Sequence, residues 1–204
     1  MIAAIVLAAG SSSRLGRPKQ LVESQPGRSL LRNALEAARD AGCAPILVVL
    51  GAHADLLRHE LADLPVQAIE NRDWVEGLAS SIRRGVEVLE KSAQRTEAVV
   101  LLACDQPALA PGILRRLIDA RGPAAAVGRT MIASEYAGDP GTPALFDARH
   151  FAQLRRLRGD RGAKTLLLER PDLVIRIPWP AGAADVDLPR DLPGMACPPG
   201  HDEL

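Results

Sequence analysis

The chain has very few aromatic residues: two Phe, one Tyr and two Trp among 204 residues. Its core must therefore be built from Ala, Leu, Val and Ile, as in helices packed on a parallel sheet. Cysteine is equally scarce. Cys43, Cys104 and Cys197 are unevenly spaced and form no Cys-x-x-Cys pair. That argues against a disulfide framework or a structural zinc site and suits a reducing compartment. Charge of one sign is not in excess either, since 25 basic residues balance 25 acidic ones. Bulk charge thus gives no reason to expect nucleic acid or a membrane surface as partner.

No apolar run is long enough to span a bilayer. The opening MIAAIVLAAG lacks the basic segment of a signal peptide and reads as a buried first strand. The closing HDEL matches a retention address of secreted proteins, but without a leader it reads as coincidence, and the expectation is a cytoplasmic protein. Neither GxxxxGK[ST] nor GxGxxG occurs, which excludes a Walker A loop and weakens a dinucleotide-binding reading. The histidines (His53, His59, His150 and His201) are scattered, and no Ser/His/Asp or Cys/His set stands out.

What is present is an alternation of apolar runs and helical segments. IAAIVLA, PILVVLG, PVQAIE and EAVVLLACD read as the first four strands. Between them, SLLRNALEAARDAG reads as a helix capped by Ser29 and ended by Gly42. HADLLRHELADL, GLASSIRRGVEVLEKS and PGILRRLIDARG read as further helices, the last opened by Pro111. AAAVG and parts of MIASEYAGDPGTPALF read as later strands, DARHFAQLRRL and GAKTLLLER as helices, and LVIRI as a strand. The implied fold is α/β: one domain over 1–192, a doubly wound, mostly parallel, Rossmann-like sheet beginning 3-2-1-4, with helices on both faces. Residues 193–204, rich in Pro and Gly, read as a loose tail.

In such sheets the ligand sits beyond the carboxyl ends of the strands, where strand order reverses. Two unusual segments fall there. LAAGSSSRLGRPKQL follows strand one and carries Gly10, Ser11, Ser12, Ser13, Arg14, Gly16 and Lys19. Small residues free backbone N–H groups for phosphate oxygens, and Arg14 and Lys19 add cationic charge. The competing reading is an exposed polar turn. The other segment is Asp105, which ends the fourth strand; its competing reading is a helix-capping acid before Pro107.

The first string resembles the signature of the MobA-like NTP transferase superfamily, roughly LAAGxSxRLGxPK. Ala8, Ala9, Gly10, Ser12, Arg14, Gly16, Pro18 and Lys19 match it in place. The resemblance implies that the loop, including Leu7, wraps the nucleotide, with Arg14 and Lys19 on its phosphates. LLACDQPAL resembles the family's metal motif and implies Mg²⁺ on Asp105, with Cys104 a packed neighbour. DVDLPRDL resembles a DxDTPxDL segment, with Leu188 in place of the threonine. It implies Asp187 as second metal ligand or substrate-orienting acid, Asp185 being the alternative.

ENRDWVEGLASSIRRGV resembles the molybdenum cofactor cytidylyltransferase branch. It implies Asn71, Gly77 and Ser80 near base and ribose; the competing reading is an ordinary helix cap, with Trp74 simply covering the loop. PGTPALF and RGDRGAKTLLLE resemble that branch's G-x-P and GDxGA segments and imply Gly141, Pro143, Gly159, Asp160 and Gly162 on the acceptor side.

The activity so implied is transfer of a nucleoside monophosphate, CMP from CTP first, to the phosphate of a molybdopterin-type cofactor, releasing pyrophosphate. Ala9 in the LAAG form is the hint for CTP, since its methyl disfavours a bulky purine. Arg14, Lys19 and Asp105 would carry the reaction, and a client molybdenum enzyme is the implied partner. Two other readings stand beside this one: a sugar-phosphate nucleotidyltransferase, and a maturation factor that holds a nucleotide or cofactor without turning it over.

Overall fold

The computed structural model describes residues 1–93, 95–188 and 191. The expected tail and the end of the expected domain boundary lie outside the described residues. Three continuous apolar runs form the centre of the sheet: β1 (Ile2–Ala8), β4 (Ile46–Leu50) and β6 (Ala98–Ala103). Buried on both faces, they need no alternation of polar residues. With β5 (Gln67–Glu70), β7 (Met131–Tyr136), β8 (Asp139–Asp147) and β9 (Val174–Pro178) they make a seven-stranded sheet ordered β5-β4-β1-β6-β8-β7-β9. The first four are parallel in the expected order. β8 runs antiparallel to both β6 and β7, and β7 pairs β9 in parallel. A separate two-stranded ribbon joins β2 (Glu23–Gln25) to β3 (Arg28–Ser29).

The two faces of the sheet are covered by different helices. Ala4, Val6 and Val48 pack with Leu31 and Leu35 of α1 (Leu30–Asp40) and Ile113 and Leu114 of α4 (Pro111–Ala126). Alternate residues Ala3, Ile5 and Val49 face Ile82, Val86 and Leu89 of α3 (Leu78–Lys91). Phe151 and Leu154 of α5 (Phe151–Leu154) and Leu167 of α6 (Lys164–Glu169) extend that second layer. The period of two along β1 thus sorts its side chains into two cores. Ser29 caps α1 by accepting a hydrogen bond from Arg32 N–H at 3.1 Å, and Gly42 follows its end at φ +84°.

Three local expectations are corrected. AAAVG is not a strand: Ala124–Ala126 continue α4, with Pro123 inside the helix and Gly128 turning the chain at φ +75°. Alanine carries no β-branching to favour a strand, and Ala124 is buried in the α4 core. HADLLRHELADL makes only a four-residue helix, α2 (Ala54–Leu57), followed by a 3₁₀ turn over Arg58–Leu61. Only Leu57 and Leu61 are buried there, too little apolar surface to hold a long helix. DARHFAQLRRL likewise shortens to a 3₁₀ turn, Ala148–His150, and α5.

Candidate nucleotide-binding active site

The carboxyl ends of β1 and β6 lie side by side in the middle of the sheet, because the two strands pair from Ile2–Ala98 to Leu7–Ala103. This pairing brings the loop after β1 against Asp105. Within the loop, Ser12 adopts φ +54° and Gly16 φ +76°. The loop is held from inside by Gln20, which is 1% exposed. Its Nε2 donates to the carbonyl oxygens of Ala8 at 3.0 Å and Gly10 at 2.9 Å. Ser12 Oγ donates to Gln20 Oε1 at 3.3 Å and accepts from Lys19 N–H at 3.0 Å. His53 Nε2 meets the Ser11 carbonyl at 2.9 Å from the neighbouring β4–α2 connection. With its carbonyls tied down in this way, the loop keeps a fixed shape beside the cleft. Sequence reading had passed over Gln20, although an amide next to the motif lysine was the available signal.

Lys19 reaches across the cleft floor. Its Nζ lies 2.6 Å from Asp105 Oδ2 and 2.9 Å from Asp187 Oδ1. Arg14 meets the other oxygen of Asp187 at 3.0 Å. Burial lowers the proton affinity of Lys19, but Asp105 and Asp187 outweigh it and hold the ammonium charged well above its ordinary range. The hydrogen bond from Lys19 keeps the Asp187 carboxyl below the usual range. Asp185 behaves oppositely: burial, then repulsion from Asp187 and Asp105, pushes its carboxyl up. Cys104 is buried, and burial with the adjacent Asp105 pushes its thiol up to about 12, so it stays neutral.

Arg14, Lys19, Asp105 and Asp187 line a cleft of about 530 Å³. Its other wall is apolar, with Ala9, Trp74, Val75 and Leu78. Asn71 and Ser80 are buried behind this wall and do not face the cleft. Asn71 Nδ2 donates to Ser80 Oγ at 2.8 Å and Ser81 Oγ at 3.0 Å, and Ser80 Oγ donates to the Gly77 carbonyl. Their network shapes the Gly77 loop, and Ser81 reaches the cleft instead. Gly77 sits at φ +111°, where a Cβ would lie 2.4 Å from Asp160 Oδ1 and 2.6 Å from the Gly159 backbone. Gly159 and Asp160 are therefore placed against Gly77, where Asp160 lines the cleft, and Gly162 packs on Leu78. Gly141 and Pro143 lie apart from them, buried in β8, with Gly141 under the Tyr136 ring. Leu7 and Gly10 line the cleft, whereas Ala8 is buried beneath it.

The donor set suits a hard divalent cation. Two carboxylates, Asp105 and Asp187, converge on a single point of positive charge. No group of three or more His, Cys, Asp or Glu forms a complete metal cage among the described residues. Mg²⁺ characteristically takes one or two carboxylates and completes its shell with phosphate oxygens and water.

Residues 4–173 match the MobA-like NTP transferase domain. The chain belongs to that family. Among curated relatives of this MobA-like chain, nicotine blue oxidoreductase of Paenarthrobacter nicotinovorans is 29% identical over 180 residues, covering 85% of this chain and 84% of the relative. Molybdenum cofactor cytidylyltransferase of Escherichia coli is 27% identical over 192 residues and 92% of each chain. Among solved structures, Rv0371c of Mycobacterium tuberculosis superposes with a TM-score of 0.77 at 33% identity, over 93% of this chain and 94% of that one. The same protein has also been solved in complex with manganese.

Proposed function

We propose that this MobA-like chain transfers a nucleoside monophosphate from an NTP, CTP first, to the phosphate of a small acceptor, a molybdopterin-type cofactor first. One observation carries the reading: Lys19, Asp105 and Asp187 converge on one point at the cleft floor, with Arg14 alongside. A triphosphate needs this combination of cations for its oxygens and carboxylates for its metal. The manganese complex of Rv0371c and the cytidylyltransferase relative support it.

In the reaction, an acceptor phosphate oxygen attacks the α-phosphorus of the NTP. The new P–O bond forms as the bond to the β-phosphate oxygen breaks, and pyrophosphate leaves. Such transfers rest on positioning and charge neutralisation, so no protein nucleophile is required. Arg14 and Lys19 hold the β- and γ-phosphates and offset charge on the departing pyrophosphate. Mg²⁺ held by Asp105 and Asp187 would supply Lewis-acid neutralisation of the phosphate oxygens. The base lies against Ala9, Trp74 and Val75, with Gly77 and Ser81 near the ribose. Ala9 is itself backed by Gly51, where an added Cβ would lie 2.8 Å from the Ala9 methyl. This wall has no room to recede, which favours a pyrimidine. The acceptor side is assigned to Gly159, Asp160 and Gly162, in the connection between α5 and α6 that packs on Gly77 and Leu78, and to Gly141 and Pro143 of β8.

We assign the catalytic unit to residues 1–192. Cys43 and Cys104 are free and buried, which accords with the reducing cytoplasm. No helix of the described residues is long and apolar enough to cross a membrane.

Pyrophosphate release with each of the four common NTPs, Mg²⁺ and candidate acceptors tests the reading. Release with CTP and molybdopterin-type cofactor, abolished by EDTA and restored by Mg²⁺, is expected. Release only with sugar phosphates would move the chain to the sugar-nucleotide readings. CTP binding without release from any acceptor would favour the maturation factor. The oxidoreductase relative adds a further control: redox turnover of nicotine blue without pyrophosphate release from any NTP would overturn the transferase assignment.

A further inference from the structure

A second chamber of about 310 Å³ lies on the far side of Asp105 from the triphosphate loop. Its size is at the lower end of the range for small-molecule sites. It is bounded by the end of β6, the β7–β8 hairpin turn at Ala137 and the 3₁₀ turn over Pro180–Ala183, and is open to solvent on its outer side. Its side-chain polar groups are those of Asp105, Asp185, Gln106, Tyr136 and Thr142, and among the described residues no lysine or arginine lines it. The tied polar groups are rigidly set. Gln106, 5% exposed, donates from Nε2 to the carbonyls of Thr142 and Gly182, each at 3.0 Å. Tyr136 hydroxyl donates to the Thr142 carbonyl, also at 3.0 Å. Those carbonyls fix which way the Gln106 amide faces. Its Oε1 is left buried with no partner among the described residues, an unsatisfied acceptor at the chamber wall.

The two sides of Asp105 therefore differ in chemistry. The larger cleft holds Arg14 and Lys19, whereas the chamber has the Asp185 carboxylate and the other side of Asp105, whose Oδ2 is paired with Lys19. An anion would meet the Asp185 carboxylate with no cation of the described lining residues to offset it. A group rich in N–H, O–H or ammonium donors would satisfy it. We propose that this chamber binds the hydrogen-bond-donating, non-phosphate body of the acceptor, and that acceptors whose body carries a carboxylate are excluded. This rests on the transferase reading for the word acceptor, but the chamber's preference for donors over anions stands on its own lining. Asp105 then stands between the two substrates, touching the nucleotide side with one face and the acceptor body with the other.

Glucosamine and glucuronate make a suitable pair of probes, being sugars of similar size and opposite charge. Ligand-detected NMR on the full chain, with and without saturating CTP and Mg²⁺, reads their binding. Glucosamine is expected to bind and to stay bound when CTP is added, while glucuronate gives no signal. Asp185→Asn is expected to weaken glucosamine about tenfold, the scale of one charge-assisted contact. Ala183→Trp, an exposed rim change that fills the mouth, is expected to abolish it with CTP affinity unchanged. Displacement of glucosamine by CTP, equal binding of the two sugars, no glucosamine binding, or indifference to both variants would overturn the proposal. Failure of CTP itself to bind would instead remove the transferase reading and leave the chamber's result intact.

Discussion

Lys19 Nζ lies 2.6 Å from Asp105 Oδ2, although 86 residues separate them in the chain. One residue comes from the loop after β1 and the other from the end of β6, and the pairing of those two strands makes the contact. The same ammonium also holds Asp187 at 2.9 Å. Lys19→Ala would leave Asp105 and Asp187 facing each other without a counter-charge and remove a phosphate contact. Turnover is expected to fall by about 10²–10³, the usual loss for one charge-stabilising donor. Steady-state pyrophosphate release, with circular dichroism to confirm folding, checks it. Wild-type turnover would remove Lys19 from the site.

Gln20 is the residue that shapes the loop. Gln20→Met keeps the volume but leaves the carbonyls of Ala8 and Gly10 without their donor. A stability loss of about 1–3 kcal/mol is expected for buried acceptors left unsatisfied. CTP binding should weaken as well, since the loop is no longer held. Urea denaturation and isothermal titration measure the two effects separately, and an unchanged midpoint would contradict the role given to this amide.

Gly77 and Gly112 should respond in opposite senses to alanine. At Gly77, φ is +111° and a Cβ would press on Asp160 and the Gly159 backbone. Gly77→Ala is expected to cost at least about 1–3 kcal/mol and to weaken nucleotide binding, because the cleft wall must shift. At Gly112, in α4, a Cβ would meet nothing within 4 Å. Gly112→Ala is expected to stabilise the fold by about 0.4–1 kcal/mol. Thermal melts of both variants decide it.

His150 gives the fold a pH dependence remote from the cleft. It is 5% exposed, and its Nε2 lies 2.7 Å from Thr130 Oγ1. Burial lowers its proton affinity, with Asp147 opposing in part. The unfolded chain therefore binds a proton more readily, near pH 6.5. His150 stabilises the fold fully above that pH, and its contribution declines as pH falls from about 6.5 toward the lowered folded value. His150→Gln should flatten the unfolding free energy over this window in denaturant titrations. An unaltered slope would mean that other groups carry it.

Much of this protein was legible in its sequence because the signals are local. Continuous β-branched runs marked β1, β4 and β6, Ser29 and Gly42 marked the ends of α1, and the glycine-, serine- and arginine-bearing loop marked the anion site. Alternation of strand and helix, with the rule that ligands sit at a reversal of strand order, already puts Asp105 beside that loop. Other features were closed to such reading because they depend on contacts between distant segments. The antiparallel insertion of β8 next to β6 is a choice of topology, which apolar pattern does not encode. The extension of α4 through Ala126 was decided by burial of Ala124 against the sheet. Asp187 joined Lys19 across 168 residues only because the chain after β9 returns to the carboxyl edge, where Val186 N–H bonds the Asp105 carbonyl at 3.0 Å. Sequence periodicity thus determined which segments form strands and helices, since that is set by neighbours along the chain. Tertiary packing decided which charges meet, which amide shapes the loop and where the second chamber opens, since those depend on desolvation and hydrogen bonds between segments that only folding brings together.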